Sequence, residues 1–263
     1  IVAIVTMTTG SALLMWIGEQ ITDKGVGNGI SIVLLFNILS SVPDDMRSLY
    51  YRFIFGQSFA TMAVAVLLIA VVLLAMVVFV VVLNDAERRI PVQYSKKMVG
   101  RKMVGGQATN IPLKVNTAGV MPVIFASSIM SFPVVIAQFF GKDPEWAHYL
   151  SQSYWCNPAN MKYSIGFVVY ILLIIFFAYF YTSITFNPRE VAKNLNDRGG
   201  FIPGIRSGKP TVEYLTQILN YIILIGAVGL LIVAVIPIVA SGVTGAKVGF
   251  GGTSIIIIVG VIL

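Results

Sequence analysis

The chain has 263 residues, 57% apolar and only 11% charged, with a net charge of +7 and a mean hydropathy of +0.88, whereas a soluble globular domain carries about 25% charged residues. These figures exclude an ordinary soluble domain and imply helices resident in lipid, because a span needs about 20 predominantly apolar residues. The single cysteine, Cys156, excludes an internal disulfide or a cysteine cluster for metal, and the lone His148 lies outside every apolar window.

In chain order, charge-free apolar windows fall near 1–17, 29–42, 59–83, 117–140, 164–186, 215–240 and 251–263. They predict an all-α, polytopic helical membrane protein with seven membrane segments, since lipid leaves backbone N–H and C=O groups no partner outside a helix. The opening IVAIVTMTTGSALLMWI has no basic region ahead of a cleavage site and reads as a helix cut midway rather than a signal peptide. GGTSIIIIVGVIL also stops inside an apolar run. Both outer segments are therefore expected to be truncated, and the chain to be a fragment of a longer protein.

The connecting loops alternate in charge. Loops 18–28, 84–116 and 187–214 hold thirteen of the eighteen Lys and Arg residues, and the remaining five lie in the other loops. An excess of Lys and Arg marks the cytoplasmic side, so these three loops are expected there, with His148 and Cys156 outside. Charges that set topology need only sit near helix ends. Loops 84–116 and 187–214 also carry charge at their middles, which is expected of docking surfaces; the plainer reading is that they fix orientation alone. Within 187–214, Pro203, Gly204, Gly208 and Pro210 bracket Arg206 and predict a stiff, solvated tip rather than a helix.

Two windows are irregular. The 29–42 window is short and follows GVGNG, and 117–140 contains Gly119, Pro122, Ser127, Ser128, Ser131 and Pro133. Prolines in a span leave backbone groups to be satisfied by neighbours or water. This second helix is either a kinked structural helix or one that faces a cavity, and the serine cluster favours the cavity.

None of the seven windows contains Asp, Glu, Lys, Arg or His. Ion-coupled transport usually places ionisable groups within the membrane, and intramembrane hydrolysis needs a nucleophile with a base, paired carboxylates or a metal motif. The sequence therefore argues against an enzyme, a metal site or a cofactor. GVGNG, GGQATN and FGGTS do not fit G-x-x-x-x-G-K-[ST] and read as helix starts. What remains is a pathway lined by apolar and small polar groups, and a hydrophobic constriction can hold back ions by dewetting. A polypeptide conduit, a lipid carrier and a facilitated solute carrier all stay open at this point.

Five stretches narrow that choice: WIGEQITDKGVGNGISIV, NIPLKVNTAGVMPVIFASSI, FNPREVAKNL, FIPGIRSGKPT and FGGTS, in this order. Together they closely resemble the bacterial SecY family, the large subunit of the Sec protein-conducting channel (translocon), over essentially the whole chain. The resemblance implies two inverted five-helix halves, with the chain running from about the fourth helix to the start of the tenth. Residues 1–42 would end the first half, 43–58 with Tyr50 and Tyr51 would be an external hinge, and 59–263 would form the second half. It also implies a pore ring of Ile30, Leu34, Ile124 and Ile257, and a lateral gate at Ser127, Ser128 and Phe132 on the 117–140 helix. Docking residues would be Arg101, Lys102 and Arg206. The partners so implied are the small subunits SecE and SecG, the SecA motor ATPase, the ribosome through its RNA and proteins, signal sequences with translocating polypeptides, and membrane lipid. The place would be the bacterial plasma membrane. Ile30 and Leu34, four residues apart, share one helix face, as a ring contribution requires. The runner-up is a facilitated carrier whose basic loops only set topology.

Overall fold

The computed structural model describes residues 2–25, 29–51, 55, 59–94, 97–99, 102–104, 108–139, 145–156, 161–244 and 252–262. The apolar windows become helices α1 (Val2–Lys24), α2 (Gly29–Leu49), α3 (Phe59–Asp85), α4 (Met121–Phe139), α6 (Ser164–Thr185) and α8 (Lys209–Thr244). These six are long and apolar enough to cross a membrane. The protein is a multi-pass membrane protein, mainly helical as the composition requires. The seventh window yields only α9 (Gly252–Ile262), 11 residues long. Two short α-helices are also described, α5 (Glu145–Leu150) and α7 (Pro188–Asp197).

Several helices outrun their windows. α2 continues through Pro43 to Leu49, so the first seven residues of the expected 43–58 hinge are helical. Ser48 Oγ donates to the Asp44 carbonyl at 3.0 Å, and the exposed Arg47 and Asp44 approach at 3.7 Å. α8 likewise begins at Lys209, six residues before its apolar window. The physical reason is common to both: apolarity marks the depth of hydrocarbon, whereas a helix ends where its hydrogen-bond ladder loses its partners.

The expected break at Pro122 is absent. Pro122 is the second residue of α4, in the first turn, where its missing N–H removes no helical bond. Only Pro133 lies inside that helix. Residues 117–120, expected at the start of the span, form a turn before it.

The larger departure is β structure in the two long polar segments. Strands β1 (Glu87–Tyr94), β4 (Ala108–Lys114) and β5 (Gly200–Phe201) form an antiparallel sheet in the order β4-β1-β5. Ile90 faces Ile111 across β1 and β4, and Gln93 faces Phe201 across β1 and β5. Pro91, which has no N–H to give, falls where β1 has a neighbour on one side only, since β5 pairs just with Gln93 and Tyr94. Between β1 and β4, strands β2 (Lys97–Val99) and β3 (Lys102–Val104) pair with each other in a separate ladder.

Beneath the three-stranded sheet lies a core of its own. Ile90 and Val92 point into it from β1, Leu113 from β4, and Ala192 and Leu195 from α7; Ile202, Leu215 and Ile222 close it. The base of the first segment is sewn shut. Val115 N–H donates to the Ala86 carbonyl at 2.8 Å, and Asn116 Nδ2 donates to Asn84 Oδ1 at 2.7 Å. A folded module thus stands where the sequence predicts two loops.

The chain divides into two compact units. One comprises Ile1–Val80, Ser151–Ser164 and Val233–Leu263; the other comprises Val81–Leu150 and Ile165–Ile232 and contains the β module.

Candidate functional site

The expected docking residues belong to the second unit. Arg206 sits in the irregular stretch between β5 and α8 and is exposed. Gly204 and Gly208 on either side adopt left-handed φ values of 84° and 103°, a conformation that costs a residue with a Cβ and suits glycine. The tip is held from below, because Ile202 is buried and Ile205 packs on the module core. Thr211 Oγ1 donates to the Arg206 carbonyl at 2.9 Å, which fixes the backbone at the charge itself. Among the described residues Arg206 makes no ion pair, so its guanidinium is held out toward solvent. Lys102 lies on β3. Arg101 lies outside the described residues.

α7 explains how this segment is braced. Asn187 caps it by accepting the backbone N–H of Arg189 at 3.1 Å, and Pro188 occupies the first helical turn. Ala192 and Leu195, three apart, turn one face into the core while the charged residues face away. The remaining cations of the segment, Arg189, Lys193, Arg198 and Lys209, are exposed.

Three of the expected constriction residues lie in the first unit. Ile30 and Leu34 follow each other on one face of α2, 54% and 39% exposed. α2 packs against α1 on one side and α9 on another. Ile257 is half-buried on α9, whose buried stripe is instead Ile255, Ile256 and Val259. The geometry therefore brings together the helices that bear Ile30, Leu34 and Ile257. Ile124, half-buried on α4, belongs to the second unit.

The position of α2 is set by its junction with α1. Gly29 N–H donates to Thr22 Oγ1 at 2.9 Å, and the same hydroxyl donates to the Gly18 carbonyl at 3.0 Å. A methyl group on Gly29 would collide with the Gly18 carbonyl oxygen, so the two backbones meet where only glycine fits.

On α4, Ser128 and Phe132 lie on an exposed face that also carries Phe125 and Ile129; Phe132 is 67% exposed. Ser127 does not share it. It is half-buried, and its Oγ lies 2.8 Å and 3.0 Å from the carbonyls of Val123 and Ile124, so the hydroxyl is spent on its own helix. The opposite face buries Val123, Ala126 and Met130.

Sequence reasoning passed over Trp155 and the β module. Trp155 is fully buried in the first unit, beside Gly242, where an added methyl group would strike the Trp155 carbonyl oxygen. Cys156, next to it, takes a left-handed φ of 57°, and burial raises its thiol pKa above the ordinary value. The module did leave a signal: Ile90 and Val92, and again Ile111 and Leu113, alternate with period two. No group of three or more His, Cys, Asp or Glu residues that could hold a metal occurs among the described residues.

The sequence profile of the SecY family matches residues 1–263. The protein translocase subunit SecY of Streptomyces scabiei is 46% identical over 260 residues, covering 98% of this chain and 58% of that protein. Its counterpart in Halalkalibacterium halodurans is 44% identical over 261 residues, covering 98% of this chain and 60% of that protein. The chain thus spans about three fifths of the length of such relatives. Among solved structures, one described as a protein conducting channel superposes with a TM-score of 0.55 at 17% identity, covering 97% of this chain and 61% of the other, a likeness of fold.

Proposed function

This chain belongs to the SecY family, and from that premise we propose that the intact protein is the pore-forming subunit of the Sec translocon in the bacterial plasma membrane. It is a passive channel that conducts unfolded polypeptides and releases hydrophobic segments sideways into lipid. The observation that carries this reading is the module beneath Arg206. A carrier whose basic loops only set topology needs charges near its helix ends, and a buried core of Ile90, Val92, Leu113 and Leu215 under a braced cationic tip is more than that role requires.

In this reading Arg206, with Arg101 and Lys102 of the 84–116 segment, meets the ribosome or SecA on the cytoplasmic side. Ribosomal RNA would be held through counterion release, and SecA through acidic patches. Segments 18–28, 84–116 and 187–214 face the cytoplasm. Ile30, Leu34, Ile124 and Ile257 form the constriction, and Ser127, Ser128 and Phe132 belong to the gate through which a signal sequence reaches lipid. Ser127 acts there through the backbone of α4, given its bonds to Val123 and Ile124. Residues 1–42 and 59–263 belong to two inverted halves, and SecE and SecG are the small companions of the complex.

The experiment is made on the intact protein. The channel should co-purify with small single-span subunits, and Leu34→Asn should raise ion conductance in planar bilayers, because wetting the constriction removes its dewetting barrier. Absence of such companions, together with conductance of Leu34→Asn no higher than that of the parent, would overturn the reading.

A further inference from the structure

A cavity of about 590 Å³ opens between the end of α6, the start of α7 and the first third of α8, wholly within the second unit. Its size falls inside the range of about 300–1,000 Å³ that small-molecule sites occupy. Its two ends differ in chemistry. One end is mainly apolar, made by Phe176 and Phe180 of α6 with Leu219 and Ile223 of α8, and Tyr179 and Asn220 lie beside them. The two phenylalanine rings lie stacked, 6.1 Å between centroids. The other end is formed by Asn187 and Arg189.

That gradient runs along the direction in which a bilayer changes from hydrocarbon to headgroup. α6 is a charge-free span that ends at Thr185, and the chain turns polar at Asn187. From Phe176 to that end the helix rises about 15 Å. Arg189 therefore stands just past the end of the span, while the phenylalanine wall lies within it. Arg189 is exposed and makes no ion pair among the described residues, and it sits in the first turn of the 10-residue α7, where the helix dipole also favours an anion. Glu190 follows in that turn but does not line the cavity.

We propose that this cavity holds one anionic phospholipid of the surrounding bilayer, with an acyl chain against Phe176, Phe180, Leu219 and Ile223 and the phosphate on Arg189. A hydrophobic peptide would match the apolar wall and leave the cation at the mouth unanswered. An amphiphile with a negative head answers both, and basic pockets between spans on the cytoplasmic side suit such heads. The inference rests on membrane residence and not on polypeptide conduction, so its failure would leave the channel reading untouched.

The test uses the intact protein in its complex, delipidated in mild detergent and examined by native mass spectrometry with added phosphatidylglycerol or phosphatidylcholine of equal chain length. Arg189→Gln should lower phosphatidylglycerol retention about tenfold, the scale of one charge-assisted hydrogen bond. It should change phosphatidylcholine retention less than twofold, and Arg189→Lys should restore most of the difference. Ser183→Trp, at an exposed residue that lines the cavity, should lower retention of both lipids by filling the space. Equal phosphatidylglycerol retention by parent, Arg189→Gln and Ser183→Trp would overturn the proposal. So would equal retention of the two lipids by the parent, or a photoreactive group at Thr216 that captures polypeptide instead of lipid.

Discussion

α3 and α7 stand at opposite ends of what a sequence can tell about packing. α3 is 27 residues of almost unbroken Val, Leu, Ala and Met, and Leu67 and Leu74 are as exposed as any lysine would be. In lipid that costs nothing, since the surrounding tails are as apolar as leucine, and so its sequence does not say which side meets protein. α7 is ten residues, mostly polar, in which the few apolar side chains turn to one face. Exposing them would cost about 1.5–3 kcal/mol for a large side chain, so each one marks a buried position. The polar segments, which look least structured, are where sequence specifies packing most tightly.

The sharpest way to break this contrast is to place a polar side chain on each side of it. Val92 is fully buried in the module core among Ile90, Leu113 and Leu215. Val92→Asp should cost about 3–5 kcal/mol, the scale of an uncompensated buried charge. In the intact protein, limited trypsin digestion should then cleave within 86–114 while the helical signal of the spans is preserved. Leu67→Ser, at an exposed position of α3, should leave the digestion pattern as in the parent. Equal protease resistance of Val92→Asp and parent would show that these strands have no core of their own.

A smaller effect is expected at the α1–α2 junction, where backbone meets backbone. Gly29→Ala forces a methyl group into the Gly18 carbonyl, and overpacking of this kind costs about 1–3 kcal/mol. Gly10→Ala, where an added methyl group meets nothing within 4 Å, should be neutral or slightly stabilising, since a mid-helix Gly costs about 0.5–1 kcal/mol relative to Ala. Thermal unfolding of the two variants in detergent should separate them by several degrees in Tm. Coincident transitions would mean that the helices bearing Leu34 and Gly18 are not in contact at this point.

The same contrast explains what the sequence disclosed. The spans were legible because hydrocarbon demands about 20 apolar residues, whatever their neighbours. Their ends were not: α2 runs on through Pro43, which lies inside the helix and cannot give the backbone hydrogen bond a helix expects there. The tip at Arg206 was legible from Pro203, Gly204, Gly208 and Pro210, residues whose backbone preferences are local. The sheet was harder to see, because the period-two signal of β1 and β4 lies in a polar segment and the third strand, β5, is two residues long and more than 100 positions away in sequence. The ring residues rest on family resemblance, since an isoleucine in a span carries no mark of the surface it meets. Ile257 shows this most clearly, sitting in a run of four isoleucines of which Ile255 and Ile256 are the buried pair.

The last prediction concerns the charge that the module holds out, and it should leave the fold almost unmoved. Arg206 is exposed, and its backbone is fixed by Thr211 and by the left-handed glycines rather than by its own side chain. Arg206→Glu should therefore change stability by no more than about 0.5 kcal/mol, as exposed substitutions usually do. A docking partner would see the full reversal of sign. Loss of one charge-assisted hydrogen bond, about 1.5–3 kcal/mol, weakens affinity about tenfold or more. Twelve other Lys and Arg residues remain on the segments assigned to the cytoplasmic side, so a cation that serves topology alone would be replaceable. A cation at a fixed tip is not, because its neighbours cannot be brought to the same point without unfolding the core beneath. The measurement is the affinity of the intact protein for ribosomes and for SecA, with translocation of a model precursor at matched membrane abundance. A defect with one partner and not the other would identify which of them this tip serves. Unchanged affinity for both, with normal translocation, would leave the braced tip without the role assigned to it and the orientation without its functional support.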